Sequence, residues 1–263
     1  MEKKANWLIS NLWWIITAAV ILVLFRSCGK DSNNSFNSTN INLEMQSIST
    51  STVKEKIAVI SITGIISEGM VEVTSAKLKA AVSNPDIKAI ILRVESPGGS
   101  VNASDLIWNE VMKVKNSKKP VVAFYNGIAA SGGYYVSVPA DKIIATPATW
   151  TGSIGVIMQV PNFSGLMSKV GLQMVTIKSG KNKDTLSPYK PVNKNDSKIL
   201  QALVDESYGQ FVQIVSKGRK MNPKKVRELA DGRIYSAKQA KENGLIDEVG
   251  YFEDAIKMAQ NLS

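Results

Sequence analysis

No histidine occurs among the 263 residues of this chain, and that absence restricts its chemistry. Ser-His-Asp and Cys-His arrangements are excluded, as is any metal site built on imidazole. If the chain hydrolyses a bond, its base is Lys, Asp or Glu. Three glycine-containing loops hold the candidates. In Glu95-Ser96-Pro97-Gly98-Gly99-Ser100 the paired glycines permit positive φ and close approach of backbone N–H groups to a ligand, although the same pair suits a tight turn. In the second loop, 127–134 (GIAASGGY), Ser131 stands between Ala130 and Gly132, so its hydroxyl is sterically open. A helix starting there would favour developing negative charge, but such a serine also suits a plain N-cap. Ala129 occupies the first glycine position of a G-x-S-x-G elbow, so that motif lends no support. The third loop is 151–155 (TGSIG), and the lysine-rich stretch 178–184 (KSGKNKD) follows. Any one of these lysines alone reads as solvated surface. A serine nucleophile without histidine nevertheless needs a base, and lysine is the side chain whose pKa moves readily on burial.

The elements that must position these loops follow from hydrophobic pattern. Apolar runs at 57–62 (IAVISI), 89–94 (AIILRV), 120–125 (PVVAFY) and 142–145 read as strands. Between the second and third lies a helix with Ile107, Val111 and Val114 on one face. Strands this apolar, alternating with helices, predict an α/β fold with a largely parallel sheet covered on both faces. A longer helix is expected over about 197–217, with Leu200, Val204, Tyr208, Phe211 and Val215 inward. Asn222-Pro223 reads as an N-cap and first-turn proline, Ser236-x-x-Gln239 as a capping box, and Gly244 as a helix stop.

Ahead of this body, residues 7–25 (WLISNLWWIITAAVILVLF) carry no charge and would be roughly 28 Å long as a helix, enough to cross a bilayer. The run is longer than a usual signal h-region and no A-x-A-like site follows, so residues 1–26 read as an uncleaved anchor. Residues 27–55, rich in Ser, Asn and Thr, read as a tether, leaving 56–263 as the folded domain. Lys3 and Lys4 before the span balance Arg26 and Lys30 after it, so charge does not orient it. Cys28 is the sole cysteine and excludes an internal disulfide. The net charge of +10 suits an anionic surface; with an anchor and no nucleic-acid motif, that surface is membrane lipid rather than nucleic acid. Nothing in the sequence calls for a cofactor or a metal.

The strings SPGGS, AASGGYY, TGSIGV, IKSGKNKD and ADGRIYSAKQAKENGLIDEVG, in this order, resemble the signal peptide peptidase A (SppA) family of membrane-anchored Ser/Lys proteases. The likeness runs from about residue 57 to the C-terminal helix. It implies a ClpP/crotonase-like fold of repeated βαβ units and an endopeptidase that degrades remnant signal peptides and other hydrophobic peptides. Carried over by residue, it implies Ser131 as nucleophile, Lys183 as general base, Ser153 as hydrogen-bond partner of that base, and the N–H groups of Gly98 and Gly132 as oxyanion donors. Lys178 and Lys181 are the rival bases. Glu95 stands where the family usually has Asn or Asp. A single-copy chain resembles the short form, whose members assemble as dome-shaped homo-oligomeric rings, octameric in type, with serine and lysine from neighbouring subunits. The domain is then expected on the extracytoplasmic side of the cell membrane, below a single pass. Moving a lysine pKa from about 10.4 down by roughly 3 units requires about 4 kcal/mol of bias against the ammonium; Lys181 would supply some of it, and Asp184 would oppose it if close. Two rival readings remain: a catalytically silent membrane-tethered scaffold, and a crotonase-type acyl-CoA enzyme. The latter needs placed carboxylates, and Glu95 is the only one beside the glycine loops.

Overall fold

In the computed structural model, which describes residues 55–263, β-branched runs form the strands. β1 (Lys56–Thr63), β2 (Ile87–Ser96), β3 (Val121–Ala130) and β4 (Lys142–Ala145) lie parallel, and β7 (Glu248–Val249) completes the order β1-β2-β3-β4-β7. Two helices, α1 (Glu68–Ser83) and α2 (Val101–Asn116), make the first crossovers, and the short α3 (Gly132–Ser137) follows β3. Ile107, Val111 and Val114 of α2 are buried, as their spacing requires. The expected anchor at 1–26 and the tether up to residue 54 lie outside the described residues. Among the described residues no helix is long and apolar enough to cross a membrane.

Both faces of the central strands are covered. On one face Ile90, Leu92 and Val94 of β2 join Val121, Ala123 and Tyr125 of β3 against α1, α2 and α3. On the other, Ala89, Ile91, Val122, Phe124 and Ile144 pack under α8 (Phe252–Leu262), with Phe252 edge-on to Phe124 at 5.3 Å. Each fully buried Val, Leu or Ile side chain here contributes about 1.5–3 kcal/mol.

After one register shift at the start of β1, where Lys56 pairs with Ile87 but Ile57 with Ala89, the sheet stays in step until it nears the serine loops. Val94 pairs with Tyr125 but Ser96 with Ala129, so 126–128 bulge opposite Glu95. Gly127 sits in the bulge at φ +84, where a Cβ would be disfavoured. Glu95 is clamped to the same bulge, accepting from Asn126 Nδ2 at 2.9 Å. Past it β3 changes partner. Its first half pairs β4, whereas Ile128, Ala129 and Ala130 pair β5 (Trp150–Gly152), which pairs antiparallel with β6 (Ile234–Ser236).

After β5 the chain leaves the core. No residue from 155 to 195 is buried, including the short α4 (Ser164–Lys169). Many are large and apolar: Ile157 is 82% exposed, Val175 81% and Ile177 97%. The chain returns through α5 (Lys194–Gly218). Here the sequence expectation is corrected: Phe211 and Val215 are buried, but Leu200, Val204 and Tyr208 are only half-buried. The stripe is continuous in sequence, yet the body is too short to cover the outer half of a 25-residue helix. α6 (Pro223–Leu229) and α7 (Ala237–Glu242) start as their caps direct, through Asn222 and through the Ser236/Gln239 box. Gly244 follows α7 at φ +74.

Candidate active site

Two parallel strand ends bring the serines together. β3 and β5 pair Ala130 with Gly152, so the next residue of each, Ser131 and Ser153, leaves the sheet at the same level. Both turn into the left-handed region, at φ +50 and +48, which costs about 1–3 kcal/mol for such residues and persists where the surroundings enforce it. Ser131 N–H donates to the Gly152 carbonyl at 2.8 Å, Tyr135 N–H donates to the Ser131 carbonyl at 2.9 Å, and Ser153 N–H donates to the Arg233 carbonyl at 2.8 Å. Ser131 is the N-cap of α3, but its hydroxyl makes no capping bond. A structural N-cap serine would use that bond. Instead Ser131 lines an open cleft.

The glycines around Ser131 are close-approach glycines. A Cβ on Gly133 would stand 2.7 Å from the Ser96 carbonyl oxygen, and one on Gly98 would stand 2.7 Å from Gly132 N and 2.8 Å from Ser131 Cβ. The first turn of α3 therefore rests directly on the backbone of loop 96–99.

Hydrogen bonding on that loop bears on the oxyanion donors. Gly98 N–H donates to the buried Ser96 Oγ at 3.1 Å, so this donor is already committed. Ile66 N–H donates to the Gly98 carbonyl and Ser100 N–H to the Ile66 carbonyl, each at 2.9 Å, bridging Ile66 to Gly99. In a parallel bridge of this pattern the N–H of Gly99 faces away from Ile66. Gly99 N lies 3.3 Å from where a Gly132 Cβ would stand, and among the described residues neither Gly99 N–H nor Gly132 N–H has an acceptor. Gly99, one of the paired glycines, thus joins Gly132 as a candidate donor beside the motif-assigned Gly98; strand alternation carried past the end of β2 is the sequence signal for it.

The cleft holds about 580 Å³ and has Val101, Val156, Ile157, Val204 and Tyr208 beside the two serines. Two carboxylates reach it, Asp205 and Asp231. Arg233 Nε bonds Asp231 at 2.7 and 2.8 Å, which holds that carboxyl below the usual carboxylate range and makes it a poor proton acceptor. No lysine is among the residues lining the cleft. Lys183 lies instead in the exposed 155–195 segment. Of its rivals, Lys178 is engaged by Asp184 at 2.7 Å. Among the described residues Lys181 and Lys183 have no ion-pair partner. Asp184, whose free carboxylate would favour a charged Lys183, is occupied by Lys178 and Lys190. Among the described residues no group of three or more His, Cys, Asp or Glu could hold a metal ion.

Comparison with known proteins places this geometry in a family. The model of peptidase family S49 matches residues 113–263, and that of Clp protease matches residues 42–151. A putative signal peptide peptidase SppA of Enterococcus faecium is 46% identical over 180 residues, 68% of this chain and 52% of that protein. A putative protease of Synechocystis is 43% identical over 210 residues, 80% of this chain and 75% of that protein. Protease 4 of Salmonella typhi is 36% identical over 79% of this chain and 34% of its own length. The chain thus spans about half the length of the Enterococcus relative, 52%. Among solved structures a ClpP1 variant from Listeria monocytogenes superposes with a TM-score of 0.52 at 18% identity, covering 75% of this chain and 94% of its own, so the α/β fold with its parallel sheet is ClpP-like. By the match of its C-terminal 151 residues and these relatives, the chain belongs to peptidase family S49.

Proposed function

We propose that the chain is a membrane-bound serine endopeptidase acting on hydrophobic peptides, remnant signal peptides among them, with Ser131 as nucleophile and Lys183 as general base. The observation that carries it is the Ser131 elbow: a strained serine with an unused hydroxyl, beside two free N–H groups, in a cleft lined by apolar side chains. Neutral Lys183 takes the Ser131 proton, Oγ attacks a peptide carbonyl, and the oxyanion is held by Gly132 N–H together with Gly99 N–H in place of Gly98. Lys183 then returns the proton to the leaving amine, and water releases the acyl-enzyme by the reverse path. Ser153, level with Ser131, is the hydroxyl that orients the amine.

In this reading the lysine comes from a neighbouring copy. An arm with no buried residue and many exposed apolar side chains is supported by contact with another subunit, and the cleft has a serine but no lysine of its own. A homo-oligomeric ring meets both conditions and brings each Lys183 to a neighbour's Ser131. Residues 7–25 hold that ring to the membrane, with the domain on the extracytoplasmic side.

The test is complementation. Ser131→Ala and Lys183→Ala chains are each inactive alone; co-assembled, they regain activity and fluorophosphonate labelling of the intact Ser131. Failure to label wild-type chains under any condition would favour the silent scaffold. Restoration absent despite co-assembly would mean that both groups act within one chain.

A further inference from the structure

Asp184 follows Lys183 in the chain, and its carboxylate is held from two sides. Lys178 Nζ donates to Oδ1 at 2.7 Å and Lys190 Nζ at 3.0 Å. Lys190 also meets Asp196 Oδ2 at 2.7 Å. Asp196 is buried in the first turn of α5, and its N–H donates to Asn193 Oδ1. An alternating run, Lys178-Asp184-Lys190-Asp196, therefore ties the turn at 178–185 to α5. That helix is rooted in the core by Phe211, Val212, Ile214 and Val215. Asn195 Nδ2 donating to Asn182 Oδ1 at 3.2 Å is a second tie. Inside the turn, Lys183 N–H donates to the Gly180 carbonyl at 3.2 Å and Thr185 Oγ1 to the Asn182 carbonyl at 2.8 Å.

Isolated surface ion pairs contribute little. This run differs, because the carboxylates of Asp184 and Asp196 are 13% and 5% exposed and share one ammonium. It lies where no apolar burial fixes the chain. The charged groups around Asp184 are Lys178 and Lys190 in contact, Asp196 beyond Lys190, and Lys181 and Lys183 on the same turn.

We propose that Asp184 is a positioning residue for Lys183, gripped by Lys178 and Lys190 so that the turn keeps one shape and the carboxylate is withheld from the catalytic amine. The inference rests on Lys183 being the general base. A free carboxylate beside that amine would favour the ammonium and raise its pKa, working against the reaction. Bonded to Lys178 and Lys190, the Asp184 carboxyl is brought down to about 2, so the grip persists through mild acid.

The experiment uses the full-length assembled chain and a hydrophobic peptide substrate. Lys190→Met removes one grip and the tie to Asp196. Its kcat falls about 10- to 100-fold with KM within about twofold of wild type, and the acid limb of its pH-rate profile moves to higher pH. Lys190→Arg keeps the cation and restores both. Asp184→Asn also loses kcat, but its acid limb moves to lower pH, because Lys178 and Lys190, no longer neutralised by a carboxylate, disfavour a further ammonium on the same turn. Opposite pH movement in the two variants is something a purely structural tie would not produce. If Lys190→Met does not assemble, Lys178→Met removes the other grip while leaving the tie to α5, and carries the same expectation. Wild-type kcat and pH profile in Lys190→Met, or limbs that move the same way in both variants, overturns the inference while Lys183→Ala remains inactive. Activity in Lys183→Ala overturns the assignment of the base itself, and the two failures are told apart by that one variant.

Discussion

Adding a methyl group at Gly98 tests the site at its tightest point. Gly98 has φ +105, and an alanine Cβ would stand 2.7 Å from Gly132 N and 2.8 Å from Ser131 Cβ. Both contacts are against groups that cannot rotate away, so loop 97–99 must retreat from Ser131, taking the Gly99 N–H with it. Loss of one oxyanion donor costs about 2.7–4 kcal/mol in the barrier, a fall of about 100- to 1000-fold in kcat. The left-handed backbone adds about 1–3 kcal/mol of lost stability. These two effects need separating, and Gly64 separates them. It has φ +83 but nothing within 4 Å of its Cβ position, so Gly64→Ala carries strain without obstruction. The assay is turnover of a hydrophobic peptide together with the rate of fluorophosphonate labelling, with thermal midpoints measured alongside. Gly98→Ala should lose both rates while assembly is retained, and Gly64→Ala should lose only stability. A Gly98→Ala enzyme within about threefold of wild type, or a Gly64→Ala enzyme just as slow, would refute this account of the oxyanion site.

Further outcomes follow from the same geometry. Ser153→Ala should lower kcat by about 10²–10⁴-fold, in line with disrupted general-base chemistry, and leave Ser131 chemically intact by mass spectrometry. Ser96→Ala frees the Gly98 N–H from its 3.1 Å bond and should slow turnover by loosening loop 96–99, read as a kcat loss at unchanged KM. Asp247 is a half-buried anchor of α5: it bonds Arg219 at 2.9 Å, Lys142 at 3.3 Å and the Ile143 N–H at 2.9 Å. Burial alone would raise its pKa, but these partners outweigh burial and hold it below the usual range. Its stabilising effect is therefore complete above the unfolded carboxylate pKa of about 3.9 and is lost as pH falls through the lower folded value. Asp247→Asn should cost about 1.5–3 kcal/mol at neutral pH and flatten the acid limb of the stability curve, measured by denaturant melts.

The first four strands and α2 were legible because their side chains answer to partners inside the same chain, so the pattern of apolar residues reports the fold. The limits were equally physical. β5 and β6 are three residues each, too short to show alternation, yet β5 sets Ser153 beside Ser131. The inward stripe of α5 was read over its whole length, but helical period shows that a face is apolar and not what covers it. Ser131 could be narrowed to nucleophile or N-cap from its neighbours; the absent capping bond and the positive φ, which speak against a plain N-cap, cannot be seen in spacing. Gly98 was assigned by motif position, and the Ser96 hydroxyl that takes its N–H is not visible in spacing.

The exposed arm has a consequence in mass action. If Lys183 comes from a neighbouring copy, as proposed, hydroxyl and amine form a working pair only while the chains stay together, so specific activity should rise with protein density and vanish on dilution without any covalent change. Confinement to two dimensions would raise local density, and the peptidase would then be silent as a newly made single chain and active only where enough copies gather.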